Sequence, residues 1–314
     1  MIRGLHFIWN RWSEFWFRPL REGELSALGF TRIFVSLSLI LQSWDRQFVL
    51  QEFFSDTGFI EKSKALVLFS ESIRPSWVLS FWSDFSLPWV HGLYVLGLVA
   101  LLLGLLPRPL GFGIWFLGLA FVQRNYAVLS GADVIGSVFL FYLCFTPCSE
   151  SWSLLPAWRR RFCKTENSSP QAPSLVFHGF FLDRVGLRFL QIQLGLIYTF
   201  SGFEKLKGSS WWDGTAFWGV LSNSQMAAFN LEFLKWVPEL VVLITWGTLC
   251  FEIFFIPLIL NSRTRIWALV IGFGFHIGIA VFMGLWSFAL IMLAPYFLFM
   301  SEADGRFLKS KSRI

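Results

Sequence analysis

Long apolar runs recur along the chain and are separated by short polar breaks. A helix needs about 20 residues to cross the roughly 30 Å hydrocarbon core of a bilayer. Eight runs come close to that length, near 26–50, 88–106, 109–129, 132–147, 186–206, 238–260, 265–283 and 285–300. The pattern predicts an all-α fold, a polytopic integral membrane helix bundle with about eight transmembrane helices. Seven or nine are alternatives, because the breaks at residues 123–125 and at Gly284 are short.

Three further segments are amphipathic rather than apolar throughout. In residues 1–25 the large apolar side chains recur at helical spacing, opposite Arg3, Arg11 and Arg18; they are Leu5, Ile8, Trp9, Trp12 and Trp16. An apolar face beside a basic face is typical of a helix that lies in the membrane interface. Residues 64–86 and 215–236 have a similar pattern, and we expect them at the outer surface.

The composition supports a membrane protein. Apolar residues make up 55% of the chain and charged residues only 15%, against about 25% charged in ordinary globular proteins. Because Trp and Tyr suit the membrane boundary, the 17 Trp residues fit the same environment. This composition excludes a soluble enzyme. The net charge of +6 does not indicate nucleic-acid binding, since basic residues in inner loops account for it.

The basic residues are distributed unequally between the two predicted faces. Seventeen of the 26 Lys and Arg residues lie on the side of the termini, eight lie on the other side, and Arg32 lies inside the first span. By the positive-inside rule both termini are cytoplasmic. In a bacterial host the protein would lie in the plasma or inner membrane.

We treat residues 1–314 as a single membrane domain with five parts. These are an interfacial helix over 1–25, four spans over 26–147, a cytoplasmic loop over 148–181, four spans over 182–300 and a basic cytoplasmic tail over 301–314.

A few ionisable residues interrupt the apolar runs, where each costs about 2.5–3.5 kcal/mol at mid-membrane. They include Arg32, Asp133, Glu252 and His276. Such residues are candidates for a functional site. The alternative is that they pair with one another and only hold the helices together. We predict no metal site, because the Cys and His residues lack the spacing of metal ligands.

The fifth span has a polar stripe on one helical face, formed by Arg184, Arg188, Gln191, Gly195, Tyr198, Gly202 and Lys205. Apolar side chains cover the rest, so the stripe faces the bundle interior. At its outer end, desolvation would favour the uncharged amine of Lys205, which could then act as a general base. The alternative is a charged lysine that extends to the interface beside Lys207.

The same region carries the most specific motif. Residues 198–206 read Tyr-Thr-Phe-Ser-Gly-Phe-Glu-Lys-Leu, and residues 211–216 read Trp-Trp-Asp-Gly-Thr-Ala. With weaker matches at 28–32, 124–125, 131–133, 251–252 and 275–276, this order resembles the horizontally transferred transmembrane (HTTM) domain family. Its best-known members are the vitamin K-dependent gamma-carboxylases. The resemblance covers most of the chain.

The resemblance implies a lyase-type enzyme that oxidises vitamin K hydroquinone, or menaquinol in bacteria, using O2 and adding CO2 to a glutamate. It implies that Lys205 and His276 are catalytic. It also implies a set of cofactor-binding residues, with the last four near Lys205 at the outer level: Tyr198, Gly202, Trp211, Gly214, Arg124 and Asp133. The carboxylases continue into a large lumenal domain that helps to bind their substrate, and we expect that domain to be absent here.

Three functions follow in order of preference. The first is a quinol-dependent membrane enzyme with Lys205 as the base, with or without coupled carboxylation. The second is a non-catalytic accessory or maturation factor that binds a membrane or secreted protein. The third is a transporter, which the lack of an internal repeat makes less favoured.

Overall fold

The computed structural model describes residues 2–59, 61, 64, 83–105, 108–125, 128–154, 182–223, 226–229 and 232–300, without the side chains of 2–8 and 232–233. Within these ranges the secondary structure is helical and contains no strand. The chain forms two compact units, Met1–Arg188 and Phe189–Ile314. Each unit is described by itself below.

The described residues of the first unit form six helices and the start of a seventh. They are α1 (Ile2–Phe17), α2 (Glu22–Phe48), α3 (Leu50–Phe54), α4 (Leu87–Leu102), α5 (Arg108–Arg124), α6 (Gly131–Cys144) and α7 (Leu182–Lys205). Helix α2 packs against α4 and α6, and α5 packs against the same two helices. The core of this unit therefore lies among α2, α4, α5 and α6.

The described residues of the second unit form the rest of α7 and five further α-helices. They are α8 (Ser209–Trp212), α9 (Ala216–Leu221), α10 (Pro238–Leu260), α11 (Arg265–Met283) and α12 (Trp286–Leu293). Two 3₁₀ helices, Glu232–Trp236 and Ala294–Phe299, precede α10 and follow α12. Helix α10 is central, because α8, α9 and α11 all pack against it.

The predicted helix bundle is confirmed. Each of the eight predicted spans coincides with a helix, the last being α12 with its 3₁₀ extension. Within the described residues, α2, α10 and α11 are long and apolar enough to cross a membrane, and α4, α6 and the stretch Trp286–Phe299 are apolar but shorter. Helix α7 has 24 residues, but its polar stripe lowers its hydropathy. The number of crossings stays a prediction.

The two weak breaks between spans are real helix ends. Helix α5 stops at Arg124, within the predicted interruption. Helix α11 ends at Gly284, whose φ of 70° lies in the left-handed region that glycine adopts without strain. The interruption at 123–125 and Gly284 therefore coincide with helix ends, although the third predicted span extended to residue 129.

The structure describes the three predicted amphipathic segments to different extents. Residues 2–17 form a helix, and Trp9 and Trp12 on it are exposed. Residues 216–221 and 232–236 are helical, and Leu221, Leu234 and Val241 form a small core there. Most of the segment 64–86, the loop from 155 to 181 and the tail from 301 lie outside the described residues.

Arg32 in α2 is fully buried and binds backbone carbonyls. Its Nη1 donates to the Leu101 carbonyl at 2.8 Å, and its Nη2 donates to the carbonyls of Trp152 at 2.6 Å and Ser151 at 3.4 Å. Leu101 is in the last turn of α4, where carbonyls carry partial negative charge, and its carbonyl also accepts from the Gly104 backbone N–H at 2.9 Å. The alternative that Arg32 pairs with one of the other buried ionisable residues is wrong, because its guanidinium donates its hydrogen bonds to these carbonyls.

We predict that Arg32→Gln lowers the free energy of unfolding by about 3 kcal/mol, because the shorter, neutral amide cannot replace the hydrogen bonds of the buried guanidinium. The measurement is the thermal unfolding midpoint of the purified protein in detergent. Lys207→Gln is the control, since Lys207 is in an exposed ion pair with Glu204 and such pairs contribute little. Equal midpoints for the two variants would show that Arg32 does not stabilise the first unit.

Candidate functional site

The amine of Lys205 and the carboxylate of Glu252 form a close ion pair in the second unit. Lys205 ends α7, Glu252 lies in the middle of α10, and Nζ is 2.7 Å from Oε2. The carboxylate is almost completely buried, with 6% of its side chain exposed, and the lysine side chain is 22% exposed. The pair therefore joins two helices at the edge of the protein interior, with its lysine end accessible.

Two further groups surround the amine. Nζ donates a hydrogen bond to the Ser201 hydroxyl at 2.6 Å, one turn earlier on α7. On another side, Nζ lies 5.3 Å from the centre of the Trp211 ring, within the range of a cation–π contact. Trp211 is held in place because the Trp246 indole on α10 donates to its backbone carbonyl. The predicted proximity of Lys205 and Trp211 is confirmed.

Glu204, which precedes Lys205, has a different partner. Its Oε1 accepts a hydrogen bond from Lys207 at 2.6 Å, and both side chains are exposed. Successive residues of a helix point about 100° apart. The carboxylate that neutralises Lys205 is thus Glu252, a partner that the sequence analysis did not identify.

The polar face of α7 packs inside the unit, as the periodicity of its sequence predicts. Large apolar side chains on the remaining surface are exposed, as expected for contact with lipid; they are Phe189, Ile192, Leu196, Phe200 and Phe203. On the polar face, Gly195 and Gly202 lie against Ile256 and Ile253 of α10. The space beside these glycines is therefore used by the neighbouring helix. A contact between Gly202 and a cofactor stays a prediction.

Tyr198 is the centre of a buried hydrogen-bonded network. Its hydroxyl hydrogen-bonds with His276 Nε2 at 2.6 Å and with the hydroxyl of Tyr296. Phe255 stacks on its ring with 4.1 Å between centroids. Tyr198 and His276 are almost completely buried, and His276 Nδ1 has no hydrogen-bond partner among the described residues. This network fixes α7 against α11 and the 3₁₀ helix that contains Tyr296.

Tyr198 and Lys205 are seven residues apart, about 10 Å along a helix at 1.5 Å per residue. His276 therefore hydrogen-bonds the residue two turns before Lys205. The predicted catalytic role of His276 is untested, and its position is that of a group that orients α7.

Gly214 lies in the turn after α8. Its φ of 74° is in the left-handed region, and a Cβ atom there would lie 2.9 Å from Val242 Cγ1. A turn of this shape and a close contact with α10 both require glycine. The geometry explains the residue without a ligand, and its role in cofactor binding stays a prediction.

The other two predicted cofactor-binding residues, Arg124 and Asp133, lie in the first unit. Asp133 pairs with Arg46 at 2.6 Å through Oδ1, and its Oδ2 accepts from the backbone and hydroxyl of Ser130 in a helix capping box. Arg124 is buried and donates to the Ser55 carbonyl. Proximity of Arg124 and Asp133 to Lys205 stays a prediction.

The alternative of mutual pairing among Arg32, Asp133, Glu252 and His276 is wrong. Asp133 has Arg46 as its partner, Glu252 has Lys205, and His276 has Tyr198. Each partner lies on a different helix from the residue that it contacts: Arg46 is on α2, and Lys205 and Tyr198 are on α7. No group of three or more His, Cys, Asp or Glu side chains in the described part of the chain is arranged to hold a metal ion.

Residues 20–303 match the sequence profile of the HTTM domain. The chain belongs to the HTTM domain family. The resemblance inferred from the motif around Lys205 is therefore confirmed, and the HTTM protein is a membrane protein related to the gamma-carboxylase domain.

Two proteins of Bacillus subtilis (strain 168) are similar to this HTTM protein. Sporulation-delaying protein SdpB is 26% identical over 216 residues, which cover 67% of this chain and 63% of SdpB. The uncharacterized protein YitO is 27% identical over 218 residues, which cover 66% of this chain and 65% of YitO. The alignments thus span somewhat less than two thirds of each relative. No solved structure is significantly similar to the chain.

We predict that Gly202→Ala destabilises the HTTM protein by about 1–3 kcal/mol, the usual range for an overpacked contact. The added Cβ would lie 2.8 Å from Ile253 Cγ1 and 3.1 Å from the Ile253 backbone nitrogen. The thermal unfolding midpoint in detergent measures the effect. Gly247→Ala on α10 is the matched control, because beyond its own stretch of helix no atom of the described residues lies within 4 Å of the added methyl group. The packing interpretation fails if the two variants unfold at the same temperature.

Proposed function

We propose that the HTTM protein is an integral membrane enzyme that binds a quinol-type lipid, such as vitamin K hydroquinone or menaquinol, and accepts its proton at the Lys205–Glu252 pair. The observation that carries the proposal is the position of this pair. A buried carboxylate and a partly accessible amine lie 2.7 Å apart at the edge of the helix bundle. Ionisable residues are rare in membrane helices, where they commonly mark proton and substrate sites.

The residues around Lys205 suit a flat aromatic ligand with a hydroxyl group. The indole of Trp211 offers a ring face for stacking, and the amine lies 5.3 Å from the centre of that ring. Phe203 and Trp212 add exposed apolar surface nearby in sequence. A quinol headgroup could thus contact Trp211 and direct a hydroxyl toward Lys205, while its isoprenoid chain remains in lipid.

The ion pair has the capacity to take up one proton. With Lys205 protonated and Glu252 ionised, the pair is neutral, and it becomes singly positive when the Glu252 carboxylate is protonated. Lys205 can transfer its proton to Glu252 and accept the ligand's proton in return, because the two groups are in contact. We therefore assign the base to the pair, with Nζ as the atom that meets the ligand and Glu252 as the proton store.

A bound quinol would supply the acidic hydroxyl and the electrons of the reaction. O2 would be the oxidant that accepts those electrons. Addition of CO2 to a glutamate, as in the carboxylases, is a further step whose acceptor is a separate protein. Tyr198, His276 and Tyr296 are positioning residues in this proposal. Their hydrogen bonds hold the face of α7 that carries Lys205.

We predict that Lys205→Met decreases conversion of quinol to quinone epoxide by at least about 100-fold, the lower end of the range for a general base. The assay uses purified full-length protein with vitamin K hydroquinone and, separately, menaquinol, with the product measured by mass spectrometry. Lys207→Met is the matched control, because Lys207 is close in sequence but pairs with exposed Glu204. Its activity is expected to equal that of the unmodified protein.

Loss of activity could also arise because Lys205→Met leaves a buried charge on Glu252. The double variant Lys205→Gln/Glu252→Gln replaces the ion pair by two neutral amides that can hydrogen-bond to each other. We expect it to retain most of the thermal stability and to lack activity. An active double variant would rule out the base assignment.

A second candidate is a non-catalytic membrane accessory or maturation factor. The contacts of Lys205 favour it. The amine has a carboxylate, a hydroxyl and an aromatic ring as partners, as a purely structural lysine would. Affinity purification from mild detergent distinguishes the candidates. A stoichiometric partner protein without bound quinone, and normal function of Lys205→Met, would support the accessory role.

A further inference from the structure

A second candidate site lies in the first unit, where the end of α1 meets the start of α7. An open groove of about 380 Å3 is lined by Arg11, Glu14, Phe15, Arg18, Arg21 and Arg188. Four arginines against one glutamate give the lining a formal excess of three positive charges. Such an excess at one small surface attracts anions.

Hydrogen bonds to the backbone hold the groove in shape. The carbonyl of Phe15, in the last turn of α1, accepts from Nε of Arg184 and from Nε of Arg188, each at 3.2 Å. The guanidinium of Arg188 also lies 4.0 Å from the centre of the Phe15 ring. A hydrogen bond and a cation–π contact therefore hold Arg188 against the end of α1.

Glu24, which pairs with the groove residue Arg18, is already neutralised. Glu24 binds Arg184 through both oxygens, at 3.0 and 2.7 Å, and Oε1 also accepts from Arg18 at 3.0 Å. The Arg184 side chain is 1% exposed and that of Glu24 is 24% exposed, and neither residue lines the groove. One carboxylate thus serves two guanidinium groups, and the positive charge of the lining remains in excess.

The surroundings of the groove indicate a membrane ligand. Trp9, Trp12 and Phe17 on the same helix are exposed, and Trp9 stacks on Trp12 with 5.2 Å between centroids. Exposed Trp beside Arg is typical of helices that lie among lipid headgroups. The charge distribution also predicts that α1 lies at the cytoplasmic face, where anionic lipids give the membrane a negative surface potential.

We propose that this groove binds the phosphate headgroup of an anionic phospholipid. The planar, always charged guanidinium is well suited to phosphate oxygens. Arg188 and Arg18 would contact the phosphate from positions that are already held, and Arg11 and Arg21 would approach from the exposed rim. The acyl chains would extend into the membrane toward the opposite face of α1, where Trp9 and Trp12 are exposed. This site uses no residue of the Lys205 region and is independent of the proposed enzymatic function.

The test measures lipid affinity by native mass spectrometry of the full-length protein in non-ionic detergent. The probes are phosphatidylglycerol and phosphatidylcholine with the same acyl chains. We expect phosphatidylglycerol to bind more tightly, and Arg11→Gln/Arg21→Gln to weaken its binding by about 30-fold, from roughly a fivefold loss per basic residue near a membrane surface. Both replaced arginines are exposed, so the fold does not depend on burying them.

Two control variants separate site binding from general charge. Lys207→Gln/Arg263→Gln removes two exposed positive charges elsewhere and should leave the affinity for phosphatidylglycerol within about twofold. Arg11→Lys/Arg21→Lys retains the charges and should retain most of the affinity. The proposal is overturned if Arg11→Gln/Arg21→Gln binds phosphatidylglycerol as tightly as the unmodified protein, or if it loses both lipids equally.

Competition with inorganic phosphate distinguishes a lipid site from a site for a soluble anion. We expect millimolar phosphate to leave phosphatidylglycerol bound, because the acyl chains add apolar contacts that the free ion lacks. Displacement of the lipid by millimolar phosphate would contradict the lipid assignment and indicate a soluble phosphate ligand.

Discussion

The cost of burying charge in an apolar helix bundle is the constraint on which this structure depends. A buried ion is tolerated only when a partner neutralises it or satisfies its hydrogen bonds. Arg46 and Asp133 form one such pair, and Lys205 and Glu252 form another. Each pair joins two helices that are distant in sequence. The polar groups that interrupt the apolar runs therefore decide which helices pack together.

Lys205 has a full set of partners and an accessible side chain. It has the partners of a structural lysine, yet its side chain is not sealed from the surroundings. The sequence predicted a neutral Lys205 amine that burial keeps uncharged. The structure instead has an ion pair in which Glu252 is more deeply buried than Lys205. In the second arrangement the proton-accepting capacity belongs to the pair, and the buried carboxylate becomes as important as the lysine.

The fold and one face of the site could be predicted because they depend on local periodicity. The apolar runs located the helices, and the spacing of Gly195, Tyr198 and Gly202 identified the inner face of α7. The partners could not be predicted, because no spacing relates residues on different helices. Glu252 was visible only as a lone buried carboxylate, and Tyr296 gave no signal apart from being a Tyr in an apolar run.

The contacts of Arg32 have a consequence for sequence variation. Its acceptors are carbonyl groups of the main chain, which every amino acid provides. Leu101 and Trp152 could thus change among homologues without loss of the bond, whereas Arg32 could not be replaced without it. Methods that infer spatial proximity from correlated substitutions would miss this contact, even though it joins segments about 70 and 120 residues apart.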